Sequence, residues 1–152
     1  VGDHDVVKRA LEAEGVDIAF WRIALRPGKP MMHGRLGAMR VIGVPGNPAS
    51  SYICSFLFAV PLIRALSGRA DVHQIPEHAI LGSDVAENDH RQDYLRARLT
   101  LTDGGPPVAT PVSQQDSSLL GNLSAARALV LRPPHAPAAT AGSPCVIFRL
   151  PA

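Results

Sequence analysis

The sequence predicts part of a three-layer α/β domain over residues 1–71, followed by a small all-β, barrel-like domain over residues 72–152. Three observations carry this reading. Apolar positions recur with helical spacing at Val6, Val7, Ala10 and Leu11, and again over residues 49–66. Between these helices lie apolar runs of strand length, from Ile18 to Leu25 and from Met39 to Val44, giving the order helix, strand, strand, helix. Beyond Gly68 the pattern changes to short runs that alternate apolar with polar residues, separated by turn residues.

Each element has a local cause. Asp3 or Asp5 can cap the first helix, and Gly15 ends it. The run from Ile18 to Leu25 is nearly continuous, which suits a strand buried on both faces. Two prolines make Arg26-Pro27-Gly28-Lys29-Pro30 a loop. Asn47 is a good N-cap for the second helix, with Pro48 at the first helical position and Gly68 as the stop. Residues 69–78 read as a linker. Residues 94–101 alternate with period two, Asp103-Gly104-Gly105 is a hairpin signal, and residues 108–112 form the partner strand. Residues 128–131 and 145–150 supply two more strands.

Composition narrows the function. The chain has 152 residues, 46% of them hydrophobic, which is enough to bury a core. A formal charge of +2 is too small for a generic nucleic-acid binder. The best apolar run, Tyr52 to Leu66, falls short of the roughly 18 residues of a membrane span and contains Pro61 and Arg64. Cys54 and Cys145 lie far apart, which excludes a disulfide scaffold and a cysteine zinc site. The histidines form no metal motif. The expectation is a cytoplasmic protein that binds neither nucleic acid nor membrane.

Three loops of the first domain carry candidate chemistry. Gly2-Asp3-His4-Asp5 places two carboxylates at a helix start, suited either to Mg²⁺ or to plain helix capping. Arg22 and Arg26 share a face if their strand continues, and Lys29 follows on the loop, so three cations can meet an oxyanion or can simply line a solvated edge. Pro45-Gly46-Asn47-Pro48 leads straight into a helix N-terminus, either an anion site or a well-made cap. Ser50 and Ser51 read as ordinary helix-start residues, and the polar turn at residues 114–118 can face a ligand, though polar turns are usually just turns.

These loops, in this order, resemble the molybdopterin molybdenumtransferase family, which includes bacterial MoeA and the E domain of gephyrin. The resemblance rests on Arg26-Pro27-Gly28-Lys29-Pro30 and on Gly43-Val44-Pro45-Gly46-Asn47-Pro48. It extends through Tyr94-Leu95-Arg96-Ala97, Gln115-Asp116-Ser117-Ser118 and Ala125-Ala126-Arg127-Ala128. It implies the second half of a molybdopterin-binding subdomain followed by the C-terminal β subdomain, with the rest of the family's protein upstream. The implied reaction inserts molybdate into adenylylated molybdopterin, with Mg²⁺, and releases AMP in a homodimer. By the resemblance, Asp5 is the acidic residue at the metal, and Arg22 and Arg26 face molybdate or phosphate. Lys29 joins them, and Pro45, Gly46, Asn47 and Pro48 shape the molybdopterin pocket. A non-catalytic molybdopterin-binding or scaffold module is the alternative.

Overall fold

The computed structural model of the protein describes residues 6–113, 115 and 124–151. Helix α1 (Val6–Ala13) carries a Lys8–Glu12 ion pair one turn apart and buries none of its residues completely. Strand β1 (Asp17–Trp21) follows, then the two-residue β2 (Leu25–Arg26), then β3 (Met32–Leu36) and β4 (Met39–Gly43). β1, β3 and β4 form an antiparallel sheet in the order β1-β3-β4.

This corrects two expectations. β1 is an edge strand, exposed or half-buried throughout, because no layer of the described chain covers it; Phe20 is 39% exposed. Its apolar run also stops early. Arg22 takes a left-handed φ of 71° and turns the chain out of the sheet. β4 is likewise exposed or half-buried, and β3, unread in the sequence, lies between β1 and β4.

Helix α2 (Pro48–Leu66) is the long element of the first segment. Asn47 Oδ1 accepts from the N–H groups of Ala49 at 3.1 Å and Ser50 at 3.3 Å. Asn47→Ala is expected to lower stability by about 1 kcal/mol, read as a shift in the urea midpoint at unchanged slope. At the other end, Gly68 adopts φ 72° and donates to Ala65 O, while Arg69 N donates to Arg64 O, a Schellman stop. Pro61 does not break the helix. A π turn over Ser55–Ala59 sends Val60 N to Ser55 O just ahead of the proline. The Phe56 carbonyl is taken up by Gln74 Nε2 at 3.2 Å. The helix expected over residues 49–66 thus runs unbroken for 19 residues, and, against the expectation that no stretch reaches that length, it is by length and composition alone sufficient to cross a membrane.

Between Leu66 and Glu77 neither helix nor strand forms. Five strands follow: β5 (Glu77–Leu81), β6 (Gln92–Thr100), β7 (Val108–Pro111), β8 (Ala128–Arg132) and β9 (Pro144–Arg149). They pair in the order β6-β7-β5-β9-β8, and β8 pairs again with β6, so the sheet closes into a barrel. β5, at the end of the expected linker, was not read from the sequence. The barrel's interior holds Leu81, Val130 and Ile147 together with Ala79, Ala97, Ala109 and Ala128. Small interior residues suit so narrow a barrel.

Two connections join the segments. β2 adds to the barrel sheet in parallel, with Leu25 opposite Gln92 and Arg26 opposite Asp93. Ile53 and Phe56 of α2 share a core with Ala126, Leu129 and Leu150 on the barrel's outer wall.

Candidate functional site

The loop after β2 is held by its own backbone. Ile23 N donates to Lys29 O at 3.0 Å, Arg22 N to Met31 O at 2.9 Å, and Met31 N to Gly28 O at 2.9 Å. Gly28 is buried against α2 with φ 128°. A Cβ there would stand 2.8 Å from Cys54 Sγ and 2.9 Å from Leu25 Cδ2. Cys54 is fully buried, and burial pushes its thiol up to about 12, so it stays protonated and serves as packing for the loop.

A cavity of about 410 Å³ opens between this loop and the barrel. Its walls are residues 25–30, Ser50 from the first turn of α2, and a barrel face that includes Arg91, Asp93, Arg96 and Gln115. Four cations, Arg26, Lys29, Arg91 and Arg96, thus line it beside one carboxylate, Asp93. Arg96 is 2% exposed. Gln115 fixes its backbone, accepting from Arg96 N and donating to Arg96 O, both at 3.0 Å. A concave wall with cations and rigid donors is suited to a small oxyanion or a phosphate.

Two carboxylates beside the cavity behave oppositely. Arg26 Nε donates to Asp93 Oδ1 at 2.7 Å, and its Nη2 lies 3.2 Å from Asp89 Oδ2. Arg91 pairs with Asp89 at 2.6 Å. The Arg91 hydrogen bonds hold Asp89 well below the usual carboxylate range. Asp93 is raised, because its burial outweighs the Arg26 guanidinium. Asp93 therefore binds its proton more tightly folded than unfolded, and its contribution to stability falls as pH rises past about 4. Asp89 contributes above that pH and loses its contribution as pH falls through its depressed value. Carboxyl carbon NMR is expected to show Asp93 titrating at higher pH than Asp89; the reverse order would contradict this account.

The structure sorts the expected site residues. Arg26 and Lys29 line the cavity; Arg22 does not. Arg22 and Arg26 do not sit on one strand, because β1 ends at Trp21, and the Arg22 guanidinium stacks 4.1 Å above the Trp21 ring. Pro45 is buried, while Gly46 and Pro48 are exposed. The Asn47 side chain occupies the N–H groups of Ala49 and Ser50, which an anion would need, so this turn serves as a cap. Asp5 lies outside the described residues, as do Asp3, Asp116, Ser117 and Ser118. Among the described residues no three His, Cys, Asp or Glu side chains gather to hold a metal.

Ser50, Arg91, Asp93 and Arg96 were not read as site residues. Arg96 carried a faint signal. It falls on the face of β6 opposite Leu95, Ala97 and Leu99, which pack into the barrel interior, so alternation places it outside, where it is nonetheless buried beside the cavity. Gln115, in the polar turn that can face a ligand or be an ordinary turn, reaches the cavity wall.

Comparison with known proteins agrees with this two-segment layout. Residues 1–65 match the family described as probable molybdopterin binding domain, and residues 78–147 match the MoeA C-terminal region, domain IV. The molybdopterin molybdenumtransferase of Bacillus subtilis is 31% identical over 133 residues, covering 88% of this chain and 31% of the relative. That of Haemophilus influenzae is 32% identical over 120 residues, covering 78% and 30%. The fold is that of the molybdopterin biosynthesis MoeA protein of Pyrococcus horikoshii, with a TM-score of 0.74 at 23% identity over 95% of this chain and 34% of that one. The chain spans about a third of the length of the curated relatives it matches. The chain thus carries, in this order, a segment of the family described as probable molybdopterin binding domain and a MoeA C-terminal region, domain IV.

Proposed function

We propose that the chain is the C-terminal part of a molybdopterin molybdenumtransferase acting in molybdenum cofactor biosynthesis. In this reading the protein inserts molybdate into the dithiolene of adenylylated molybdopterin and releases AMP. The observation that carries it is the cationic cavity closed jointly by the molybdopterin-binding segment and the domain IV barrel.

Molybdate is a compact dianion, and the cavity offers it matching partners. Lys29 reaches in from the loop as a mobile point charge, and its ammonium makes no ion pair or hydrogen bond among the described residues. Arg96 presents a guanidinium from a buried, fixed position in β6. Ser50 adds a hydroxyl from α2. Preset charges of this kind stabilise an oxyanion without reorganising at the moment of reaction. The dithiolene sulfurs are the nucleophiles, so these side chains bind and orient; no side chain attacks. Asp5 and Arg22 belong to the reading through the family resemblance, as does the homodimer. Mg²⁺ rests on Asp5 alone, and no step is drawn through it.

The test is molybdate-dependent AMP release by the full-length protein supplied with adenylylated molybdopterin. Release that requires molybdate supports the transferase. Tight binding of adenylylated molybdopterin with no release would replace it with a binding or scaffold module.

A further inference from the structure

Arg26 lines the cavity, yet its charge is already spoken for. Nε donates to Asp93 at 2.7 Å, and Nη2 sits 3.2 Å from Asp89 Oδ2 and 3.4 Å from Asn88 Oδ1. Both carboxylates stand on firm ground. Asp93 lies within β6, directly opposite Arg26 in the β2–β6 register, and is buried. Asp89 sits on a turn braced by Asn88, whose Nδ2 donates to the carbonyls of Arg91, Arg132 and Pro133 at 2.7, 3.1 and 2.8 Å. With Arg91 on Asp89 at 2.6 Å, the alternation of two guanidinium groups and two carboxylates carries no net charge. Arg26 therefore adds little attraction for an anion, while Lys29, three residues on, keeps its charge for the cavity.

We propose that Arg26 is a positioning residue: it clasps the loop that carries Lys29 to the barrel through Asp93 and Asp89, and does not itself bind the oxyanion. The inference rests on the cavity being the molybdate site. A fork of donors meeting two carboxylates fixes both the height and the orientation of the loop, which a single ammonium cannot do. Placement matters here because a shift of about 1 Å in a reacting group costs on the order of 10²-fold in rate.

Asp93→Asn separates positioning from direct binding by the sign of its effect. It removes a negative charge from the cavity wall. If Arg26 binds molybdate itself, freeing it from Asp93 lowers the KM for molybdate. If Arg26 is a clasp, KM rises, by about tenfold. Arg26→Lys keeps the charge but loses the fork, and is expected to raise KM similarly; normal KM in that variant would overturn the clasp. The double variant Arg26→Ala with Asp93→Ala is expected to be no worse than the worse single, because both act through one contact.

A second readout does not depend on turnover. Asp93→Asn in the full-length protein is expected to speed hydrogen exchange at the Ile23 and Met31 amides, whose acceptors are Lys29 O and Gly28 O in the loop. Unchanged exchange there overturns the clasp. If the wild-type protein shows no molybdate-dependent AMP release, the functional reading falls on its own, and the exchange rates still decide whether Arg26 holds the loop.

Discussion

Gly28→Ala is expected to lower stability by roughly 2–4 kcal/mol and to abolish AMP release by the full-length protein. Two effects combine. The φ of 128° at Gly28 belongs to a region that an alanine enters only under strain. The new methyl would also meet Cys54 Sγ at 2.8 Å and Leu25 Cδ2 at 2.9 Å. Neither neighbour can retreat, since Cys54 is completely buried and Leu25 is 5% exposed. The loop must lift from α2, and Lys29 and Pro30 leave the cavity with it. Denaturant unfolding and AMP release on the same preparations check this. Adding Cys54→Ala should restore part of the stability by opening room, though the backbone strain remains. A Gly28→Ala protein as stable and active as the wild type would show that the loop does not depend on this seat.

Lys29→Ala is expected to lower kcat/KM for molybdate by about 10²-fold while leaving the unfolding midpoint unchanged. The side chain is exposed and makes no ion pair among the described residues, so its removal leaves the fold's contacts intact. Lys29→Arg should recover part of the loss, as charge returns with altered geometry. Undiminished turnover in Lys29→Ala would remove this residue from the oxyanion site and move the assignment toward Arg96.

Much of the fold was legible because it rests on local signals. Asn47 and Pro48 start a helix, Gly68 stops it, and alternation from Tyr94 onward marks a strand; each depends on near neighbours in sequence. What escaped depends on distant partners. The run from Ile18 to Leu25 is apolar enough for a buried strand, but its burial depends on layers that the run itself does not encode, and a single left-handed residue at Arg22 divides it. β5 was hidden because its partners, β7 and β9, lie far along the chain. The site followed the same division. Arg26 and Lys29 are found by the stiff loop that holds them. Asp93 and Arg96 become site residues only when β2 joins β6 and α2 covers the barrel's outer face. The expected pairing of Arg22 with Arg26 failed because even spacing places two residues together only along an unbroken strand.

The shared core of α2 and the barrel has a consequence for synthesis. Translation proceeds from the N-terminus at roughly 5–20 residues per second. Ile53 and Phe56 leave the ribosome well before their partners Ala126, Leu129 and Leu150. For several seconds at these speeds the nascent chain therefore presents a long apolar helix with no wall to lean on. The helix is then exposed to chaperones and to premature association with other nascent chains. A pause or break late in translation, before Leu150 emerges, is more harmful to this protein than one in the loops between its strands, because the final strand and the residue after it complete the cover on α2.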